Sequence, residues 1–248
     1  MKNECLIDQK DYNLFYLFRN QQNVKICQYL SLEYFITHLT RGEYFIQRKN
    51  LFNDANEKKL PLSLMFAPTL ANAPCSEKNT EIIEKQIEKY ELYKEVSNSS
   101  FVSSWTLAAP DNYLMWKSYA PNYGVCVVSC IEDFIASFNH QRINDYEIYC
   151  APIDYRNYKF TDTPEDMLFI KSVSYKDESE LRFLFSPKNE TMKNERNIWV
   201  PYQYQIMIDK VILSPFLSPQ IVGFLSASLR EKFSIEVCPS LIKIDNSK

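Results

Sequence analysis

Three glycines in 248 residues, Gly42, Gly124 and Gly223, constrain this chain more than any other feature. A loop that cradles phosphate brings several glycines close together, so that backbone amides can approach the ligand. Glycines this far apart build neither a Rossmann fingerprint nor a Walker A loop. Histidine is equally scarce, with only His38 and His140, which disfavours a Ser-His-Asp triad or a multi-histidine metal site. Any catalysis is expected to rest on carboxylates and hydroxyls.

The length suffices for a core that needs no staples. We read residues 1–248 as one domain, with a core over about 24–244 and a loop-and-helix insertion at about 50–98. Charge is nearly balanced, 28 Lys and Arg against 31 Asp and Glu, so no global field draws the protein to nucleic acid or a membrane. Seven cysteines without regular spacing, and an opening "MKNECLIDQK" without an apolar run, predict a cytoplasmic protein. No stretch reaches the roughly 18 apolar residues of a membrane span.

Periodicity predicts a strand at "VKICQYL" and a helix at "SLEYFITHLTRG", with Ser31 as N-cap and Gly42 as the stop. "EYFIQ" follows as a strand. Residues 48–79 lack a clear period and read as a long irregular excursion. "TEIIEKQIEKYELYKEV" is a charged helix, with Thr80 as N-cap and Ile83, Ile87, Tyr90 and Lys94 on one side. Downstream we expect strands at "SFVSSWT", "GVCVVSC", "YEIYCAPIDY", "ESELRFLFS", "PYQYQIMI", "KVILSP" and "IEVCP". Helices are expected at "DNYLMWKSYA", "IEDFIASFN", "PEDMLFIKSV" and "SPQIVGFLSASLREKF". The mixture lacks regular βαβ repetition, so the fold class is α+β.

Three short stretches could carry chemistry. If Glu178 to Phe185 is extended, Glu178, Glu180 and Arg182 share one face while Leu181, Phe183 and Phe185 enter the core. That pattern fits either a solvent-facing strand with ion pairs or an acid/base site. In "SSWT", alternation turns one of Ser103 and Ser104 inward, where its hydroxyl needs a backbone or ligand partner. Asn53, Asp54 and Glu57 in "NLFNDANE" form either an ordinary turn or a polar loop over a pocket. Met115, Trp116 and Tyr119 sit at helical spacing and serve the core or wall a pocket. Cys126 and Cys130, about 13 Å apart along a strand, are too far apart to share a metal and read as buried thiols.

In order along the chain, these segments resemble an uncharacterised bacterial domain-of-unknown-function family. Its members run through a Tyr-containing first strand, N-D-P-F-E, S-C-W-[ST], M-W-x-x-Y-[AG], a G-V strand and E-x-E-x-R. The matching pieces are "QYLS" around Tyr29, "NDANE" at 53–57, "SSWT" at 103–106, "MWKSYA" at 115–120, "YGVCVV", and "ESELR" at 178–182. The likeness covers roughly residues 24 to 215 and departs at Ala55, Asn56 and Ser104.

That layout in turn resembles the ADP-ribosyltransferase superfamily, which implies a split, mostly antiparallel β core with flanking helices. The resemblance puts Tyr29 at the first motif, Ser103 at the second, and Glu178 with Glu180 at the third. It implies NAD as substrate and catalytic roles for Glu180, Glu178 and Ser103, with Ser103 bracing Glu180 or the ribose. Tyr29, Ser103, Trp105, Tyr119 and Arg182 would bind NAD, under a loop carrying Asn53, Asp54 and Glu57.

No metal is implied. The reaction would be mono-ADP-ribosylation of RNA, DNA or protein by a bacterial toxin or phage-defence effector, for which a neutralising antitoxin protein is expected. Arg41, Arg48, Lys49, Arg156 and Lys159 are the basic residues open to nucleic acid. Two rival readings stand beside it. One is a nuclease holding Mg²⁺ with Asp54, Glu57, Glu178 and Glu180; the other is a non-catalytic interaction module.

Overall fold

The computed structural model describes residues 14–16, 24–51, 77–138, 143–155 and 168–244. The expected loop residues Asn53, Asp54 and Glu57, like Arg156, Lys159 and His140, lie outside them. The strands are β1 (Leu14–Tyr16), β2 (Lys25–Ser31), β3 (Glu43–Arg48), β4 (Phe101–Thr106), β5 (Gly124–Cys130) and β6 (Tyr146–Pro152). They continue as β7 (Asp154–Tyr155), β8 (Ile170–Lys171), β9 (Glu180–Pro187), β10 (Asn197–Pro201), β11 (Lys210–Leu213) and β12 (Val237–Pro239). The helices are α1 (Leu32–Arg41), α2 (Glu77–Ser99), α3 (Tyr113–Tyr119), α4 (Ile131–Ala136), α5 (Tyr204–Met207) and α6 (Pro219–Phe233).

Ten strands form one sheet, in the order β1-β6-β9-β4-β2-β5-β11-β12, with β3 joined to β4 and β10 to β3. Pairing within it is antiparallel except at β1–β6 and β11–β12. The α+β expectation therefore stands. β7 and β8 make a separate two-stranded parallel sheet.

Local chemistry sets the boundaries. Ser31 accepts a hydrogen bond from the Tyr34 amide at the start of α1, and Gly42 ends it with φ of 63°. Asn112 caps α3 by accepting from Leu114 and Met115, and Ser218 caps α6 from Ile221. Gly124 is needed for close approach: a Cβ there would lie 2.3 Å from the Ala120 Cβ.

Several expected elements differ. α2 begins at Glu77, so Thr80 is inside the helix rather than its cap, and its buried face is carried by Tyr93 and Val96 while Lys94 is exposed. Within the expected helix "PEDMLFIKSV", Ile170 and Lys171 form β8, and a 3-10 turn runs from Val173 to Glu178. The strand expected at "PYQYQIMI" ends at Pro201; Tyr204–Met207 is helical. These short apolar runs carry no period long enough to separate helix from strand.

β4 is shared by two diverging wings. Thr106 at one end pairs with Cys27 of β2, whereas Phe101 and Val102 at the other pair with Arg48 and Gln47 of β3. Between the wings a side chain replaces the ladder: Gln28 donates to the Ser104 carbonyl at 3.1 Å and accepts from the Tyr44 hydroxyl at 2.8 Å. Buried backbone needs such a partner.

Alternation gives the sheet two unlike faces. On one, Ile26, Phe101, Trp105, Leu181, Phe183 and Phe185 pack with Phe35 of α1, Phe134 of α4 and Leu229 of α6. On the other lie two smaller apolar clusters. Val102 and Leu184 meet Tyr93 and Val96 of α2, while Cys27 and Tyr29 meet Met115 and Trp116 of α3. Ser104, Thr106, Glu180 and Arg182 belong to this second face by register.

Candidate functional site

The second face carries a buried ionic cluster. Arg182 is fully buried and Glu180 is 3% exposed. The Arg182 Nε donates to Glu180 Oε1 at 2.8 Å, and its Nη1 donates to the Leu168 carbonyl. Ser104, directly opposite Arg182 on β4, donates from Oγ to the same Glu180 oxygen at 2.7 Å. The second oxygen, Oε2, lies 3.3 Å from the Lys171 ammonium.

Glu178 reaches the same ammonium by another route. The 3-10 turn from Val173 to Glu178 ends at Ser179, a left-handed residue with φ of 45°. The strand begins only at Glu180, so Glu178 does not share an extended face with it. The turn nevertheless brings Glu178 Oε2 to 2.6 Å from Lys171 Nζ, and Tyr119 of α3 donates to Oε1 at 2.6 Å. Thr106 fixes the turn by donating to the Glu178 carbonyl, and the Tyr155 hydroxyl accepts from the Glu180 amide at 2.7 Å.

The chain thus places two carboxylates around one ammonium, with a guanidinium and a hydroxyl behind. Burying two carboxylates and two cations costs more solvation than a solvent-facing strand would, and such clusters are weak contributors to stability. Glu180 and Arg182 are the interior members. Glu178, whose side chain is 18% exposed, and Tyr119, 46% exposed, face outward. Burial and the bond to Glu178 both raise the Tyr119 pKa, and burial raises that of Tyr155. Both phenols stay protonated near neutrality.

Other expected site residues lie elsewhere. Ser103 does not brace Glu180. It sits on the opposite face, 2.8 Å from the Tyr44 hydroxyl, and accepts from Trp105 Nε1 at 3.0 Å. Trp105 is 2% exposed and packs edge-on against Phe134, so it presents no surface to a ligand. Arg182 does belong to the cluster, where, with no exposure, it holds Glu180 and presents no surface to solvent.

Tyr29 lies on the site face but in the neighbouring apolar cluster, its ring edge-on to Trp116 at 4.8 Å. Its hydroxyl accepts from the Asn112 amide, and burial raises its pKa. Of the basic residues, Arg41 pairs with Glu43, Arg48 caps the carbonyls of Asn98, Lys193 and Glu195, and Lys49 is buried. These three form no common basic surface.

Sequence reasoning missed Ser104, Thr106, Tyr155 and Lys171. One signal was present: Lys171 is a lone charge in the apolar run "MLFIKSV", where a buried ammonium must find a carboxylate. Ser104 could be separated from Ser103 only by the β4–β9 register.

No protein-family model matches the chain, and neither the curated proteins nor the solved structures contain a significant match to it. Among the described residues, no three or more His, Cys, Asp or Glu side chains are grouped to hold a metal ion, and no helix is long and apolar enough to cross a membrane.

Proposed function

We propose that this chain is a mono-ADP-ribosyltransferase that moves ADP-ribose from NAD to a macromolecular acceptor, RNA, DNA or protein. The observation that carries the reading is the convergence of Glu178 and Glu180 on one cationic group beside the forked strand β4. Breaking the bond between ribose C1′ and the nicotinamide nitrogen sends the electron pair to that nitrogen and leaves positive charge on the sugar. A fixed carboxylate stabilises this charge most when its dipolar surroundings are already in place.

Glu180 meets that requirement. Arg182 and Ser104 hold Oε1, so Oε2 is directed to one position, where a ribose hydroxyl and the developing charge would be received. Glu178, the more exposed carboxylate, would take the proton from the acceptor nucleophile as it attacks C1′. Tyr119 orients Glu178 and is the most exposed of these side chains. Glu178 Oε2 and Glu180 Oε2 converge on the point that the Lys171 ammonium holds.

The two rivals receive less support. A hard cation, like any ligand of Glu180 Oε2, would have to displace Lys171, and it would then find Glu180 Oε1 and Glu178 Oε1 already engaged by Arg182, Ser104 and Tyr119. That leaves one oxygen of each carboxylate for an ion that takes about six or more oxygen ligands. An interaction module leaves the burial of Glu180 and Arg182 without a purpose, since apolar residues of similar volume would serve the core at least as well.

The test is incubation with labelled NAD and separate protein, RNA and DNA fractions. Wild-type protein should label one fraction and release nicotinamide, and Glu180→Gln should do neither. Absence of both transfer and nicotinamide release in the wild type would sink the reading.

A further inference from the structure

Lys171 occupies the place that a substrate would need. Its ammonium is 2.6 Å from Glu178 Oε2, 3.3 Å from Glu180 Oε2 and 4.6 Å from the centre of the Tyr175 ring. Two carboxylates and an aromatic face form a seat for a single positive charge, the chemistry by which proteins recognise ammonium and other organic cations. The side chain of Lys171 is 7% exposed and that of Glu180 is 4% exposed, so no ligand reaches Glu180 Oε2 while the lysine is seated.

The seat and its occupant are mounted differently. Glu180, Arg182 and Ser104 belong to the ten-stranded sheet, with β9 paired on both sides along most of its length. Lys171 belongs to the two-residue strand β8, which among the described residues pairs with the two-residue β7. Its contact with Glu180 is also the longer of the two. Withdrawal of the lysine thus disturbs a short separate ladder and leaves Glu180 fixed in the sheet, while Glu178 and Tyr175 belong to the 3-10 turn that follows Lys171 and is tied to β4 by the bond from Thr106 to the Glu178 carbonyl.

We propose that Glu178, Glu180 and Tyr175 form a binding seat for an organic cation, and that Lys171 is its internal occupant, leaving when a cationic ligand enters. The ligand class is a singly charged organic cation whose positive atom replaces Nζ. Resting on the transferase reading, the cation is the nicotinamide ribose of NAD, whose ring charge passes toward C1′ as the bond breaks. Lys171 then competes with substrate and is not part of the reacting set.

The test uses the full chain with Lys171→Ala and Lys171→Met, the second retaining the aliphatic stem if the first does not fold. Propylammonium chloride is titrated against potassium chloride at equal ionic strength, and the thermal midpoint is recorded. Either variant should gain roughly 2–4 °C saturably with propylammonium. Wild type should gain nothing, and adding Glu178→Gln to the variant should abolish the gain. No propylammonium-specific gain in a folded variant overturns the seat.

A second arm measures nicotinamide release against NAD concentration. Half-saturation should fall about tenfold in Lys171→Met if the seat is vacant in about one wild-type molecule in ten. An active wild type with an inactive but folded Lys171→Met would overturn the competitor role. Propylammonium binding without nicotinamide release from any form would uphold the seat and dismiss NAD as its ligand.

Discussion

Ser104 Oγ donates to Glu180 Oε1 at 2.7 Å across the β4–β9 ladder, while its neighbour Ser103 turns to the other face of the sheet. Adjacent hydroxyls therefore have separable tasks. Removing the hydrogen bond to a carboxylate costs about 1.5–3 kcal/mol. If Glu180 is catalytic, Ser104→Ala should lower kcat/KM for nicotinamide release by roughly 10–100-fold. Ser103→Ala should leave turnover close to wild type and lower the thermal midpoint, because Trp105 Nε1 loses its acceptor. Equal effects of the two variants on turnover would contradict this division.

Arg182 and Glu180 form a buried pair, and removing one member strands the other. Arg182→Met should destabilise the protein by about 3–5 kcal/mol in urea unfolding. The double variant Arg182→Met with Glu180→Leu should recover a large part of that loss. A double variant as unstable as the sum of the two singles would show that the pair is not the source of the cost.

The three glycines should respond to alanine in three ways. Gly124→Ala should cost about 1–3 kcal/mol, because its Cβ meets Ala120 at 2.3 Å and the Leu30 carbonyl at 3.0 Å. Gly42→Ala should cost about 1 kcal/mol for its left-handed backbone. Gly223→Ala, inside α6 with nothing within 4 Å, should raise stability by about 0.5–1 kcal/mol. Thermal midpoints in any other order would refute the packing described here.

His38 is buried among the rings of Tyr34, Tyr44 and Trp199, and burial lowers its pKa from 6.5 to about 4. Among the described residues its Nε2 meets no hydrogen-bond partner. Between those pH values the unfolded chain binds the proton and the folded chain does not, so stability falls as pH drops from about 6.5 to 4 and levels off below. The full loss is about 3 kcal/mol. His38→Phe should flatten this part of the urea-denaturation pH profile relative to wild type. Parallel profiles for the two proteins would exclude the histidine as its source.

The same contrast between local and distant causes decides what was legible in the sequence. Caps and periods are local, so α1 between Ser31 and Gly42, α3 after Asn112 and α6 after Ser218 follow from the residues at their ends. Glu178 and Glu180 were also visible as candidates. Their actual geometry was not, because the left-handed Ser179 breaks the alternation that would have aligned them. Lys171 and Ser104 join the cluster through a turn and a strand register, which are properties of pairing between distant segments. Tyr29 and Trp105 carried the right residue types for a pocket, but packing against Trp116 and Phe134 used their rings.

The position of β9 bears on when such a cluster can exist. β9 is inserted between β4 and β6, and few neighbours in the large sheet are neighbours in sequence. Pairing of this kind makes folding slow, since long loops must close before any contact rewards them. During synthesis Ser104 is made 76 residues before Glu180, and Lys171 before the carboxylates that hold it. A ribosome-bound chain that stops short of β9 therefore lacks the ionic cluster altogether, and the chemistry proposed for it begins only once that strand has been made and paired.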